Sequence, residues 1–205
     1  MSTITITYAE LSRLVAIVGP SAGKDKFLPI FTCIQIHSHE GRVELRATDR
    51  YTFAAARGAA KYDGPDILIR HADLKHLLSA LRVAGAAGVT LDVDAEQERI
   101  TATATDSQLD EQAVSLTVTY QVPKGEYPKF NPFKADWSGT TTHPSFNPTY
   151  LRHVPNLGET VTFASQGVGK PCGFFTKDWA VIIMPVRVEG DVTENWLARK
   201  DAEAA

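Results

Sequence analysis

Two stretches of the chain carry residue types that perform chemistry in other settings. Gly19-Pro20-Ser21-Ala22-Gly23-Lys24 has the glycines and lysine of a phosphate-cradling loop. In such a loop, backbone amides and an ammonium group hold the phosphates of a nucleotide. Here three residues separate the glycines where four are needed, and Asp25 stands where a Ser or Thr would bind magnesium. The segment also follows a helical pattern where a strand is required. His37-Ser38-His39-Glu40 brings two imidazoles and a carboxylate together, a set able to hold a divalent metal. It falls at an expected hairpin tip, where polar residues need no special cause. Cys33 and Cys172 have no Cys or His partner at metal-ligand spacing and read as buried thiols in a reducing compartment. No Ser, His and Asp set and no pair of acids in an apolar setting stands out. The expectation is no catalysis, no metal and no cofactor.

The elements that would position these residues read as a repeat of strand, helix and two or three strands. Thr3 to Thr7 alternates apolar and hydroxyl residues as a half-buried strand does. Tyr8 to Val18 then places Leu11, Leu14, Val15 and Val18 on one helical stripe, which Gly19-Pro20 ends. Strands are expected at Phe31 to His37, Val43 to Ala47 and Tyr51 to Arg57. In a second unit Asp66 to Arg70 is a strand, and Ala72 to Val83 carries Leu74, Leu77, Leu78 and Leu81 at the same four offsets. Strands at Val89 to Val93, Arg99 to Ala104 and Ala113 to Tyr120 complete it. Pro123 to Trp137, with three prolines and a glycine, reads as a linker. A third, more compact unit has a short helix at Pro148 to Val154 and strands at Thr160 to Ala164, Cys172 to Thr176 and Trp179 to Val188. The resulting division is 1–136, 137–190 and a polar tail 191–205.

With 205 residues, 43% hydrophobic and 22% charged, the chain is an ordinary globular mixture. It has no run of the ~18 apolar residues that a spanning helix needs, and no secretory leader pattern, so a cytoplasmic protein off the membrane is expected. A net charge of -3 argues against binding nucleic acid with the whole surface, but not against a basic strip on one face.

Five short motifs then fall in one order: Leu28-Pro29-Ile30, Ala47-Thr48-Asp49, Gly125-Glu126-Tyr127-Pro128, Asn147-Pro148-Thr149-Tyr150-Leu151 and Met184-Pro185-Val186-Arg187. In that order and approximate spacing the chain resembles the bacterial DNA polymerase III beta sliding clamp family. The resemblance implies an α+β, DNA-clamp-like fold of repeated β-α-β-β-β units, with antiparallel sheets outside and helices on one face. It also implies a phage-encoded or otherwise divergent processivity factor that tethers a DNA polymerase or other replication protein to DNA. The alternative is a non-encircling module, a decoy or regulator of replication, that binds the same peptides.

By the same resemblance Leu28, Thr48, Arg50, Tyr51, Phe53, Pro128, Phe133, Ile182, Met184, Pro185 and Val186 would line a groove for a short tail containing Gln and Leu or Phe. An apolar groove with a few polar groups on its rim suits an extended segment with hydrophobic anchors. The same residues also read as ordinary core and rim positions. The family often has Gly-His-Arg-Leu after its Thr-Asp, and here Arg50-Tyr51-Thr52-Phe53 follows.

Opposite the leucine stripes lie Ala9, Arg13 and Ala16 on the first helix and Lys75, His76, Ser79 and Arg82 on the second. With Lys24, Lys26, Arg152 and His153 these would meet the phosphates of double-stranded DNA without reading sequence. The same faces also read as solvated surface. A full clamp ring has twelve such units, so three per chain imply a homo-oligomer of four, with unlike ends in contact. Trp196-Leu197 forms an apolar pair that would fold back on the chain's own groove or dock on a neighbour.

Overall fold

The structure, a computed structural model, describes residues 2–25, 27–94, 96, 99–107, 117–121, 123, 125–129, 135–140 and 144–186. The first unit comprises β1 (Ser2–Thr7), α1 (Tyr8–Val18), β2 (Cys33–His39), β3 (Arg42–Thr48) and β4 (Thr52–Lys61). α1 starts where the hydroxyl of Thr7 accepts the Glu10 N–H, a side-chain cap for an otherwise unpaired amide. Its stripe of Leu11, Leu14, Val15, Ile17 and Val18 is buried, each large side chain contributing about 1.5–3 kcal/mol. A 3₁₀ turn at Gly19–Ser21 ends it. Gly19 lies so close to His71 that a Cβ there would stand 2.6 Å from the imidazole Nε2. The glycine-rich segment thus closes a helix against its neighbour.

The second unit comprises β5 (Ile67–Arg70), α2 (His71–Val83), β6 (Ala86–Asp94), β7 (Arg99–Ser107) and β8 (Thr117–Gln121). The two units follow one another in the order expected, yet their first strands are exchanged. β1 pairs antiparallel with β6, from Ser2 with Val93 to Thr7 with Gly88, while β5 pairs with β2, from Cys33 with Arg70 to Ile36 with Ile67. Alternation marked β1 correctly but carries no information about which ladder it joins. α1 packs on β3, β4 and β6 and α2 on β5 and β6, so each helix touches both sheets.

The third unit has α3 (Pro148–Leu151), β9 (Thr162–Ser165), β10 (Cys172–Phe175) and β11 (Trp179–Ile183). Its last strand joins the last strand of the first unit: β11 pairs with β4 from Trp179 with Ala56 to Ile183 with Thr52. The result is a seven-stranded antiparallel sheet, β5-β2-β3-β4-β11-β10-β9, beside the four-stranded β1-β6-β7-β8. α3 stops short of the expected Val154, because His153 and Val154 donate to Tyr150 and Leu151 in tight turns rather than in helical spacing. β11 stops short of Val188. Its extension leaves the ladder, and the Val186 N–H donates to the Ser145 carbonyl.

Both faces of the large sheet are covered from β2 to β4 and across to β11. One meets the helices through Ile34, Ile36, Val43, Leu45, Ala47, Ala54 and Ala56. On the other, the expected linker packs back: Tyr127 is buried with Cys33 and Leu68, and its hydroxyl donates to the Cys33 carbonyl at 3.3 Å. Trp137 packs on Phe53, Ala55, Ala180 and Ile182 and meets Phe175 edge-on at 4.8 Å. The tail, with Trp196-Leu197, lies outside the described residues.

Candidate functional site

The β4 to β11 seam draws most of the expected groove residues to one place. The turn between β3 and β4 is held by Asp49, whose Oδ1 accepts from the N–H groups of Tyr51 (3.0 Å) and Thr52 (2.7 Å) and from the Thr52 hydroxyl (2.9 Å). The Thr48 hydroxyl donates to the Thr52 carbonyl at 2.7 Å and accepts the Arg50 N–H at 3.1 Å. These bonds explain why the Thr-Asp pair is needed there. They also hold Arg50 at a φ of 81°, a left-handed conformation costing about 1–3 kcal/mol at a non-glycine residue.

Arg50 is thereby held exposed, its guanidinium 5.9 Å from the Phe31 ring centre and 5.8 Å from that of Tyr51. Tyr51 is half exposed and stacks on Tyr150 of α3, ring centres 5.8 Å apart and 15° from parallel. Across the seam the Met184 N–H donates to the Tyr51 carbonyl at 2.9 Å. Phe53 and Ile182 are direct register partners and form a buried floor. Met184 and Val186 stand 40% and 43% exposed on the rim, with Pro185 half-buried between them. Leu28 is half-buried at the start of the 3₁₀ turn Pro29–Thr32 that positions Phe31. Pro128 is exposed beside Tyr127. Phe133 and Lys26 lie outside the described residues.

Sequence reasoning passed over four residues of this region. Phe27 is 93% exposed beside Leu28, and Phe31 carries the Arg50 guanidinium. Tyr150 stacks on Tyr51, and Asn147 caps α3 by accepting the Thr149 N–H at 3.0 Å. Asn147 and Tyr150 were visible in the Asn-Pro-Thr-Tyr-Leu motif, but they mark a helix start equally well.

Of the basic set, Lys75, His76 and Arg82 are exposed along α2, with Lys24 and Arg152 exposed elsewhere. Arg13 is half-buried, and its Nη2 donates to the Arg57 carbonyl at 3.0 Å. It lines a cleft of about 730 Å³ at the far end of β4, with Glu10, Arg42, Arg57, Lys177 and Asp178. His153 sits against the start of β4: its Nδ1 is 3.1 Å from the Thr52 hydroxyl and its ring meets Tyr150 edge-on. Burial pushes its pKa below the ordinary value, against the opposing pull of Asp49. His37 is held by Asp66 at 2.6 Å. Burial raises the thiol pKa of both cysteines, which keeps them protonated and poorly nucleophilic.

No protein-family model matches the chain, and no curated protein matches it either. Solved structures do. The DNA polymerase III beta subunit of Thermotoga maritima superposes with a TM-score of 0.73 over 95% of this chain and 67% of its own, at 12% identity. A putative beta subunit from Eubacterium rectale gives 0.73 over 97% and 68%, at 11% identity. The DNA polymerase sliding clamp of Pseudomonas aeruginosa gives 0.71 over 91% and 67%, at 16% identity.

The fold is that of a bacterial sliding clamp. The expected α+β architecture is present, with antiparallel sheets and few helices. The chain spans about two thirds of the length of these clamps. Among the described residues no helix is long and apolar enough to cross a membrane.

Proposed function

We propose that the chain is a clamp-type processivity factor, acting in the cytoplasm without chemistry of its own. It would hold a DNA polymerase or another replication protein on double-stranded DNA by gripping that protein's peptide tail. The observation that carries this reading is the β4 to β11 seam, where Tyr51, Arg50 and the Phe53–Ile182 floor from two distant parts of the chain adjoin Met184. Half-exposed aromatic and sulfur side chains around a buried floor are a surface for apolar anchors, and the Arg50 guanidinium on the rim suits a polar side chain or a carboxylate. The exposed cations of α2 suit phosphates met without base reading.

One observation favours the non-encircling alternative. The exposed outer face of α1 carries only Ala9 and Ala16, because Arg13 is turned to the Arg57 carbonyl. The basic face is therefore short. The test is twofold: titrate a labelled peptide bearing Gln, Leu and Phe onto the protein, and measure its retention on nicked circular DNA before and after linearisation. Peptide binding with retention lost on cutting supports the clamp. Peptide binding without retention supports the interaction module, and loss of both overturns the reading.

A further inference from the structure

Four arginines spend N–H groups inside the fold. Arg13 donates to the Arg57 carbonyl, Arg46 and Arg57 to Glu44, and Arg70 to Asp73. Arg50 does not. Among the described residues no carboxylate lies within ion-pair distance of its guanidinium, and no acceptor meets the N–H groups of its side chain. The adjacent Asp49 is committed to the turn, where its Oδ1 takes three donors from Tyr51 and Thr52.

The guanidinium is nonetheless held in place. It lies over the rings of Phe31 and Tyr51, at 5.9 and 5.8 Å from their centres. A planar cation resting on ring faces keeps the N–H groups along its edge open to a partner. Beneath it, the Thr48 hydroxyl accepts the Arg50 N–H and fixes the left-handed backbone, which a glycine would adopt without cost. Strained residues of this kind cluster at ligand clamps, where their neighbours over-determine them.

We propose that the groove selects acidic tails, with Arg50 pairing to an Asp or Glu side chain beside the partner's apolar anchors in preference to the neutral amide of Gln. The inference rests on the peptide-groove reading of the β4 to β11 seam. An amide offers one oxygen and brings N–H donors of its own towards a cation. A carboxylate offers two oxygens and the opposite charge, which a guanidinium fork takes bidentately. The acid is a side chain and not a chain end, because apolar surface lies on both sides of the guanidinium. Leu28 and Phe31 stand on one side, and Tyr51 and Met184 on the other. A tail that reached both would pass Arg50 and not stop there.

The test is fluorescence anisotropy of the full chain with two labelled, C-terminally amidated peptides that bear Leu and Phe and differ only in a Gln or a Glu beside them. The Glu peptide is expected to bind about tenfold more tightly, with a preference that shrinks as salt is raised. Arg50→Gly is expected to abolish the preference with folding preserved, since glycine suits the left-handed backbone. Arg50→Lys, which keeps the charge and loses the planar fork, is expected to retain only part of it. Equal binding of the two peptides to the wild-type chain overturns the proposal and leaves the groove standing, as does a preference that survives Arg50→Gly. A Gln peptide that gains affinity from a free C-terminal carboxylate, but not from the Gln to Glu change, overturns the side-chain assignment. A Glu peptide with its Leu and Phe replaced by Ser, bound as tightly and still dependent on Arg50, upholds the acidic site and overturns the apolar groove. Binding of no peptide overturns both.

Discussion

The backbone N–H of Met184 donates to the carbonyl of Tyr51 at 2.9 Å, fastening the exit of β11 to the turn that ends β3. Both side chains remain substantially exposed, so the bond orders two anchoring surfaces without burying them. Tyr51→Ala and Met184→Ala are each expected to weaken peptide binding about tenfold, or ~1.4 kcal/mol, with unfolding nearly unchanged. Fluorescence anisotropy with the labelled peptide checks this, and equal affinity in both variants would remove these residues from the groove.

Glu44 is fully buried between the Arg46 Nε at 2.6 Å and the Arg57 Nε at 2.8 Å. Burial alone would raise its carboxyl pKa, but the hydrogen bond from Arg57 and the charge of Arg46 outweigh burial and hold it low. A lowered folded pKa contributes stability that is present above the ordinary value of 4.5 and lost as pH falls through the folded one. Glu44→Gln should cost about 3 kcal/mol at neutral pH by leaving buried guanidinium charge uncompensated. It should also flatten the acid limb of a urea-denaturation series.

His71 and His153 both have pKa values pushed below 6.5, chiefly by burial. Between the folded and unfolded values the unfolded chain binds more protons, so stability falls as pH drops from about 7 and levels off below the folded pKa. A melting series across that range should show the decline, and His71→Gln with His153→Gln should reduce it. An unchanged slope would show that neither ring titrates on unfolding.

Lys75 and Arg82 are exposed one helical stripe away from the leucines of α2. Replacing both with glutamate should weaken duplex binding at every sequence alike and lower the slope of log affinity against log salt by about 1 for each phosphate no longer neutralised. Peptide affinity should not change, because neither residue lies at the seam.

A Cβ on Gly139 would collide with the backbone of Gln166 and Gly167, which cannot retreat as a side chain could. Gly139→Ala should therefore displace the 138–139 segment from Ser165 and cost about 1–3 kcal/mol, visible as a lowered melting temperature.

Much of the fold was legible because it depends on local pattern. α1 occupies Tyr8–Val18 as its leucine stripe and the following Gly-Pro require. The exchange of β1 and β5 was not legible, since alternation specifies a face and not a partner. The seam residues were reached through short motifs whose hydrogen bonds, such as Asp49 to Tyr51 and Thr52, give them a local meaning. Tyr150 was harder, because its stacking partner lies about a hundred residues away. Glu44 and Arg46 alternate with Val43, Leu45 and Ala47 along β3, and nothing in that pattern alone tells that all five are buried.

The exchange of first strands also sets the order in which this protein comes into being. Ser2 leaves the ribosome well before its ladder partner, Val93, so β1 emerges with nowhere to pair and waits through the whole of the first unit. The seven-stranded sheet likewise waits for Ile67–Arg70 at one side and for Trp179–Ile183 at the other. Such long-range pairing slows folding and leaves edges exposed to wrong partners in the meantime. A stretch holding only one of these two units would therefore leave its first strand without its ladder partner.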